Sequence, residues 1–358
     1  MRRAGALHWL KHDVTHRGIT AWLLSFVLFA FYLLLYFGDR IGHDPIQRIA
    51  MAMRLPSKWS LYGLLYTSAV LIGGGFVLRK YRHNRYQVVR TIVVMTVQTT
   101  LAFALPYLLV FLKQPEFYFS YWWPLKIEYF YPSEILHKPL FYVLWSVLGS
   151  LVLVPLLGLL FGKRWYCSWV CGCGGLANTA GDGFRQLSSK STVAWRFEQV
   201  AIHSLLIICL LVTALAIVGS IGAPSETVRA AANSATSWYG FVVGALLSGV
   251  IGVGLYPIGG TRVWCRNFCP MAALLGLIQK AGRFRIRVKR DMCISCGLCS
   301  KYCEMGIDVR SYAQRNESFT RASCVGCGMC AEVCPRGVLA LESPSRAKLV
   351  RIRTRPRD

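Results

Sequence analysis

Cys293-Ile-Ser-Cys296-Gly-Leu-Cys299-Ser-Lys-Tyr-Cys303 is followed, after twenty intervening residues, by Cys324-Val-Gly-Cys327-Gly-Met-Cys330-Ala-Glu-Val-Cys334-Pro335. Both runs read C-x2-C-x2-C-x3-C. Three cysteines this close in sequence can wrap one [4Fe–4S] cluster, whereas the fourth points away and ligates the cluster of the other run. The spacing therefore assigns Cys293, Cys296, Cys299 and Cys334 to one centre and Cys324, Cys327, Cys330 and Cys303 to a second. Structural zinc normally takes two separated C-x2-C knuckles rather than triplets. Gly297 and Gly328 allow the backbone to turn tightly and bring amides towards sulfur.

The flanks of these runs read as strands. Arg283-Phe-Arg-Ile-Arg-Val-Lys289 alternates apolar and basic residues, and Val338, Leu339 and Leu341 suit a closing strand. From Arg283 to Glu342 the chain resembles the bacterial two-cluster ferredoxins, which implies a small α+β module. One departure is Glu304, which stands where the first run would often carry Pro.

Upstream, the sequence has a different character. The 358 residues are 54% hydrophobic with a mean hydropathy of +0.43, more apolar than a soluble chain of this length. Six runs can cross ~30 Å of hydrocarbon: Ile19–Phe37, Leu61–Leu78, Thr91–Leu112, Leu140–Phe161, Val200–Ile221 and Gly240–Ile258. The expected fold is thus a polytopic α-helical membrane protein with about six transmembrane helices and a C-terminal two-cluster domain. Its expected divisions are an N-terminal amphipathic segment (1–18), a membrane domain (19–260), a connector (261–282), the cluster module (283–343) and a basic tail (344–358). Polar and basic residues precede the first run and no A-x-A-like site closes it, so it reads as a retained anchor.

A net charge of +25 raises the question of nucleic acid, but the charge lies in loops and behind the last span, as in membrane-flanking segments. From Gly259 onward there are nineteen Lys and Arg against seven Asp and Glu. Arg2, Arg3, Lys11 and Arg17, then Arg79 to Arg90, then Lys163 to Arg196, put both termini in the cytoplasm by the positive-inside rule. Arg40, Arg48, Arg54 and Lys58 speak against it. Redox compartment agrees with it, since every cysteine except Cys209 then lies where thiols stay reduced. A bacterial cytoplasmic membrane with the cluster module in the cytoplasm is expected.

Two further motifs stand at the membrane edge: Gly162-Lys-Arg164-Trp-Tyr166-Cys167-Ser-Trp-Val-Cys171 and Gly260-Thr-Arg262-Val-Trp264-Cys265-Arg-Asn-Phe-Cys269-Pro270. Both fit G-x-R-x-[YW]-C-x3-C, as an internal duplication would. If helical, each pair would sit on one face with β-carbons about 5–6 Å apart, too far for a relaxed disulfide at about 3.8 Å. Four gathered thiolates could hold a third metal centre or cluster; redox thiols and plain packing are the alternatives. Paired motifs of this kind ahead of a two-cluster module resemble the NapH/NosR-type membrane polyferredoxins over roughly Leu140–Glu342. That resemblance implies membrane electron carriers, quinol-dehydrogenase subunits and copper-reductase relatives among them, with redox-active residues falling on Cys167, Cys171, Cys265 and Cys269. Here Gly172-Cys173-Gly174-Gly175 replaces the Pro of the first motif, making Cys173 a spare or alternative ligand. The flavin-bearing periplasmic part of the nitrous-oxide type and the β-domain of the copper type have no counterpart.

The aromatic stretch 117–131 between spans three and four reads as an interfacial belt, or as one wall of a quinone or partner site. His43, Asp44, Glu128, Glu134 and His137 are its candidate proton-handling groups. His8, His12 and His16 suit an interfacial helix, and the tail from Arg346 to Arg357 an extension near anionic lipid. His203 is the one histidine in the spans, too few for a typical haem pair. Cys209 reads as packing. The leading expectation is electron transfer between a quinol or outer-face donor and cytoplasmic-side clusters, as a component of a respiratory oxidoreductase. Its alternatives are a metal-ion (cupric-type) reductase at the membrane-edge cysteines and a redox sensor or assembly factor. The expected partners are lipid, redox proteins or the quinone pool, with no nucleic acid.

Overall fold

The computed structural model describes residues 13, 16–41, 44–221 and 225–343. His8, His12, His43 and the basic tail, for which the sequence raised expectations, lie outside the described residues. Six helices are long and apolar enough to cross a membrane: α1 (Ile19–Arg40), α2 (Lys58–Lys80), α3 (Arg85–Phe111), α4 (Leu140–Phe161), α5 (Thr192–Val218) and α6 (Glu226–Ile251). Several start on side-chain caps. Ser57, Asn84, Ser191 and Ser225 accept the backbone N–H of Ser60, Gln87, Ala194 and Val228, satisfying donors that the first turn leaves free.

The expected sixth span is corrected. It starts at Glu226 rather than Gly240, because the Ser225 cap and the alanine-rich stretch behind it favour helix. It ends at Ile251, ahead of Gly252, Gly254 and Pro257. Three spans contain widened, π-helical turns, at Thr100–Ala104, Gly149–Leu153 and Gly240–Ile251. Such turns often mark functional positions.

The loop between α3 and α4 does not form an interfacial belt; it re-enters the bundle. Trp123 N–H bonds Ser150 Oγ at 3.0 Å, and its indole N–H bonds Thr213 Oγ1 at 3.0 Å, both partners lying well inside spans. Phe117, Trp122, Tyr129 and Tyr131 are buried. Irregular backbone survives at membrane depth only where protein or a cavity surrounds it, and here Gly149 makes the room. A Cβ there would stand 2.1 Å from the Trp122 indole nitrogen. The loop goes deep enough for Ser120 C=O to accept from Tyr166 Oη at 3.0 Å, next to Cys167.

One end of the bundle gathers Arg17, the loops after α2 and α4, and the segment behind α6. Arg17 donates to Leu187 C=O and Ile258 C=O at 2.7 and 2.8 Å. At the other end Lys58, one of the basic residues that spoke against the expected orientation, is neutralised by Asp39 and Asp44 at 2.6 and 2.8 Å. After α7 (Pro270–Ala281) comes an antiparallel pair, β1 (Arg285–Val288) and β2 (Leu339–Glu342), in the register Arg285↔Glu342 to Val288↔Leu339. Both cysteine runs lie between these strands.

Candidate cluster sites and the membrane-edge thiols

Each membrane-edge motif is a broken helix, not a continuous one, which corrects the single-face expectation. Gly162 and Gly260 take φ of +69° and +93°, a region open to glycine, and so end the helices before them. Cys167 closes Arg164–Cys167, and Cys265 lies in Val263–Asn267. Cys171 and Cys269 are extended N-cap residues of the next helices, Gly172–Asn178 and α7. Pro270 forces this in the second motif, because a residue before proline avoids the helical region. The repeated G, R and aromatic positions thus build the same turn twice, with Tyr166 and Trp264 buried behind it.

The two turns meet. Arg262 Nη1 donates to Cys167 C=O at 3.0 Å and reaches Cys265 Sγ at 3.7 Å. A Cβ on Gly174 would lie 2.0 Å from Cys167 O, so glycine is required for the approach. Burial, with Cys171 and Cys265 adding to it and Lys163 and Arg262 partly offsetting it, pushes the Cys167 thiol up to about 12. A hydrogen bond from Cys173 brings Cys171 down to about 7. Lys163 is buried, its Nζ donates to Ala322 C=O at 3.3 Å, and it forms no ion pair among the described residues. A buried cation without a counter-charge is costly, so this nest suits an anionic metal–thiolate group.

The module's cysteines divide between two spaces. Cys293, Cys296, Cys299 and Cys334 surround one of about 350 Å³; Cys303, Cys324, Cys327 and Cys330 surround another of about 390 Å³. Among the described residues no three His, Cys, Asp or Glu side chains converge tightly enough for a single ion. Gly297 and Gly328, at φ +77° and +80°, start the turns that follow the second cysteine of each run, and Val338 N–H points at Cys334 Sγ, 3.4 Å away.

The second run is seated on the membrane domain. Ser168 Oγ donates to Val325 C=O at 2.7 Å, Tyr86 Oη to Gly326 C=O at 2.7 Å, and Gln279 to Cys324 C=O at 3.1 Å. Arg90 donates one N–H to Cys327 C=O at 2.6 Å. Its Nε and Nη2 are buried and unpaired, an orphaned guanidinium that four thiolates carrying negative charge would satisfy.

Sequence reasoning passed over the keystone of this seat. Glu304, without solvent exposure, accepts from Arg185 at 2.6 Å and Arg262 at 2.9 Å. Burial pushes its carboxyl up, but Arg185 and Arg262 outweigh that and hold it below the usual range. The signal was its replacement of an expected Pro. Glu198 plays a parallel part, pairing with Arg266 at 2.8 Å and accepting from Ser323.

A cavity of about 650 Å³ opens between the helices. Glu116, Tyr118, Lys126 and Glu128 line it at the re-entrant loop; Tyr62, Tyr66, Gln98 and Tyr121 line its interior; Cys173, Trp264 and Pro270 line it at the membrane-edge turns. Of the expected proton-handling groups among the described residues, Glu128 alone faces it, and Glu116 was missed. Asp44 is held by Lys58 and caps Pro45–Ala52, and neither Glu134 nor His137 is part of the wall. Cys209 is buried, with its thiol towards Pro124 C=O.

Spans, seat and paired spaces together define a multi-pass membrane protein with iron–sulfur modules. A 4Fe-4S dicluster domain model matches residues 286–341, and a 4Fe-4S binding domain model matches twice, over 143–191 and 239–289. The second match falls once on each membrane-edge motif. The chain is 28% identical over 160 residues to an Escherichia coli protein named "Putative electron transport protein YccM", a match covering 42% of this chain and 44% of that one. It is 29% identical over 55 residues to an uncharacterized protein of Methanocaldococcus jannaschii, covering 15% and 21%. The chain thus spans less than half the length of either relative. No solved structure matches it.

Proposed function

We propose that this protein carries electrons between a quinol in the membrane and [4Fe–4S] clusters on the cytoplasmic side, as a component of a respiratory oxidoreductase of the NapH/NosR kind. The observation that carries this reading is the position of the membrane-edge thiols. They stand between the cavity, which Cys173 and Pro270 line, and the cluster module, which Ser168 holds at Val325 and Arg262 at Glu304.

On this reading Cys293, Cys296, Cys299 and Cys334 hold one cluster, and Cys324, Cys327, Cys330 and Cys303 hold the other. Cys167, Cys171, Cys265 and Cys269 hold a third, with Lys163 and Arg262 as counter-charge and Cys173 as a donor to Cys171. Cysteine-bound clusters of this type supply reversible one-electron storage. The aromatic walls bind the quinol ring, with Gln98, Tyr66 and Tyr121 as the few polar groups such pockets use for orientation. Glu116 and Glu128, at the far end, are placed to accept the protons that a quinol releases. The ferredoxin-like module lies in the cytoplasm of a bacterial inner membrane, its seat fixed by Glu304 and Glu198.

The test is quinol oxidation by the purified protein in nanodiscs, followed by electron paramagnetic resonance. Cluster signals should appear on adding quinol alone. Silence towards quinol, together with cupric-ion turnover that is lost in Cys167→Ser, would replace this reading with a metal-ion reductase. Clusters inert to both would favour a sensor or assembly factor.

A further inference from the structure

We infer that the outer edge of the cluster module, around Ile294 and Cys296, is the docking face for a soluble one-electron carrier protein with an acidic surface. The inference rests on the reading that Cys293, Cys296, Cys299 and Cys334 hold a cluster. The module has one face occupied already, since the second run is seated on the membrane domain and Glu332 is held by His83 and Asn84. The first run looks the other way. Cys296 is the one exposed cysteine of the fourteen, and Ile294 beside it is 57% exposed.

The charge around this edge is predominantly positive. Arg310 and Arg336 line the space that Cys296 borders, and Lys289 and Arg290 lead into it along the chain. All four are exposed, and none takes part in an ion pair among the described residues. Two nearby acids subtract from the four cations: Asp291, which accepts from neutral Asn316 at 2.9 Å, and Asp308, which accepts from neutral Ser300 at 2.7 Å. Glu317 and Glu342 are paired with Arg315 and Arg287. The uncompensated field is therefore positive at the place where the cluster space comes nearest to solvent. Such a field raises the encounter rate of an acidic partner and repels a basic one. One electron would cross in the complex, lost on one side and gained on the other, with no bond made or broken.

The test uses the full chain, loaded with clusters, in nanodiscs of uncharged phosphatidylcholine, with empty nanodiscs as blank. The probe is a plant-type [2Fe–2S] ferredoxin, an acidic carrier, and basic cytochrome c is the control. The readout is binding. Affinity for the ferredoxin should fall roughly tenfold between about 20 mM and about 200 mM salt, as screening shortens the reach of the field. Arg310→Glu with Arg336→Glu should weaken it about tenfold at low salt, whereas Arg310→Lys with Arg336→Lys should retain it. Cytochrome c should not bind. Absence of ferredoxin binding at low salt, or binding indifferent to salt or to charge reversal, would overturn the docking face. Iron content of the same sample keeps the two readings apart: a loaded protein that does not bind sinks this inference alone, and a protein that cannot be loaded sinks both.

Discussion

Glu304 has a guanidinium on each carboxylate oxygen, one from the loop after α4 and one from the second membrane-edge turn. Removing one member of a buried ionic group leaves the others uncompensated, at a cost of about 3–5 kcal/mol. Glu304→Ala should therefore lower the unfolding midpoint of the solubilised protein and open the 281–284 connector to protease; an unchanged midpoint would refute the keystone role. Asp182 makes a second, pH-dependent case. Burial raises its carboxyl, but Arg185 and Lys80, at 3.0 and 2.6 Å, outweigh that and depress it. A depressed value means that the stabilisation is complete above the unfolded value of about 3.9 and fades as pH falls through the folded one. The cost of Asp182→Asn in thermal midpoint should accordingly be equal at pH 8 and pH 5 and shrink only in stronger acid. Neither residue was legible beforehand. A local spacing can announce eight cysteines, but the partners of Glu304 lie 119 and 42 positions away.

At the level of elements, hydropathy located the spans because bilayer crossing needs an unbroken apolar run, and it misjudged α6 because capped, alanine-rich helix is less apolar than lipid-facing helix. The aromatic loop failed for a related reason. Composition suits a belt at the interface and a wall at depth equally well, and only the depth of Ser150 and Thr213 distinguishes them. Gly149 offers the decisive variant. A β-branched side chain there must displace the buried Trp122 indole, and overpacking of this kind costs about 1–3 kcal/mol. Gly149→Val is expected to shift the re-entrant loop and slow quinol-dependent cluster reduction by roughly tenfold. Reduction by dithionite, which needs no cavity, should be unaffected. Equal loss with both reductants would mean that the helix itself, and not the loop, had failed.

In the whole molecule, the duplicated turns, the seated module and the cavity converge on the five thiols Cys167, Cys171, Cys173, Cys265 and Cys269. The duplication was legible as a repeated motif; the convergence was not, because the two copies lie ninety-eight residues apart and meet through long-range contacts such as that of Arg262 with Cys167 C=O. Two buried cations near these thiols, Lys163 and Arg262, and a 4Fe-4S binding domain match on each copy are what the proposed third cluster rests on. Chemical analysis of protein that has been loaded with iron and sulfide should then find about twelve irons per chain rather than about eight. Cys265→Ser with Cys269→Ser should remove about four of them and leave the magnetic signals of the module in place. If the wild type holds about eight irons and the double variant the same, the thiols hold no cluster. If the variant loses all iron, the second turn is needed for the fold of the module, and the third centre must be sought by spectroscopy of the wild type.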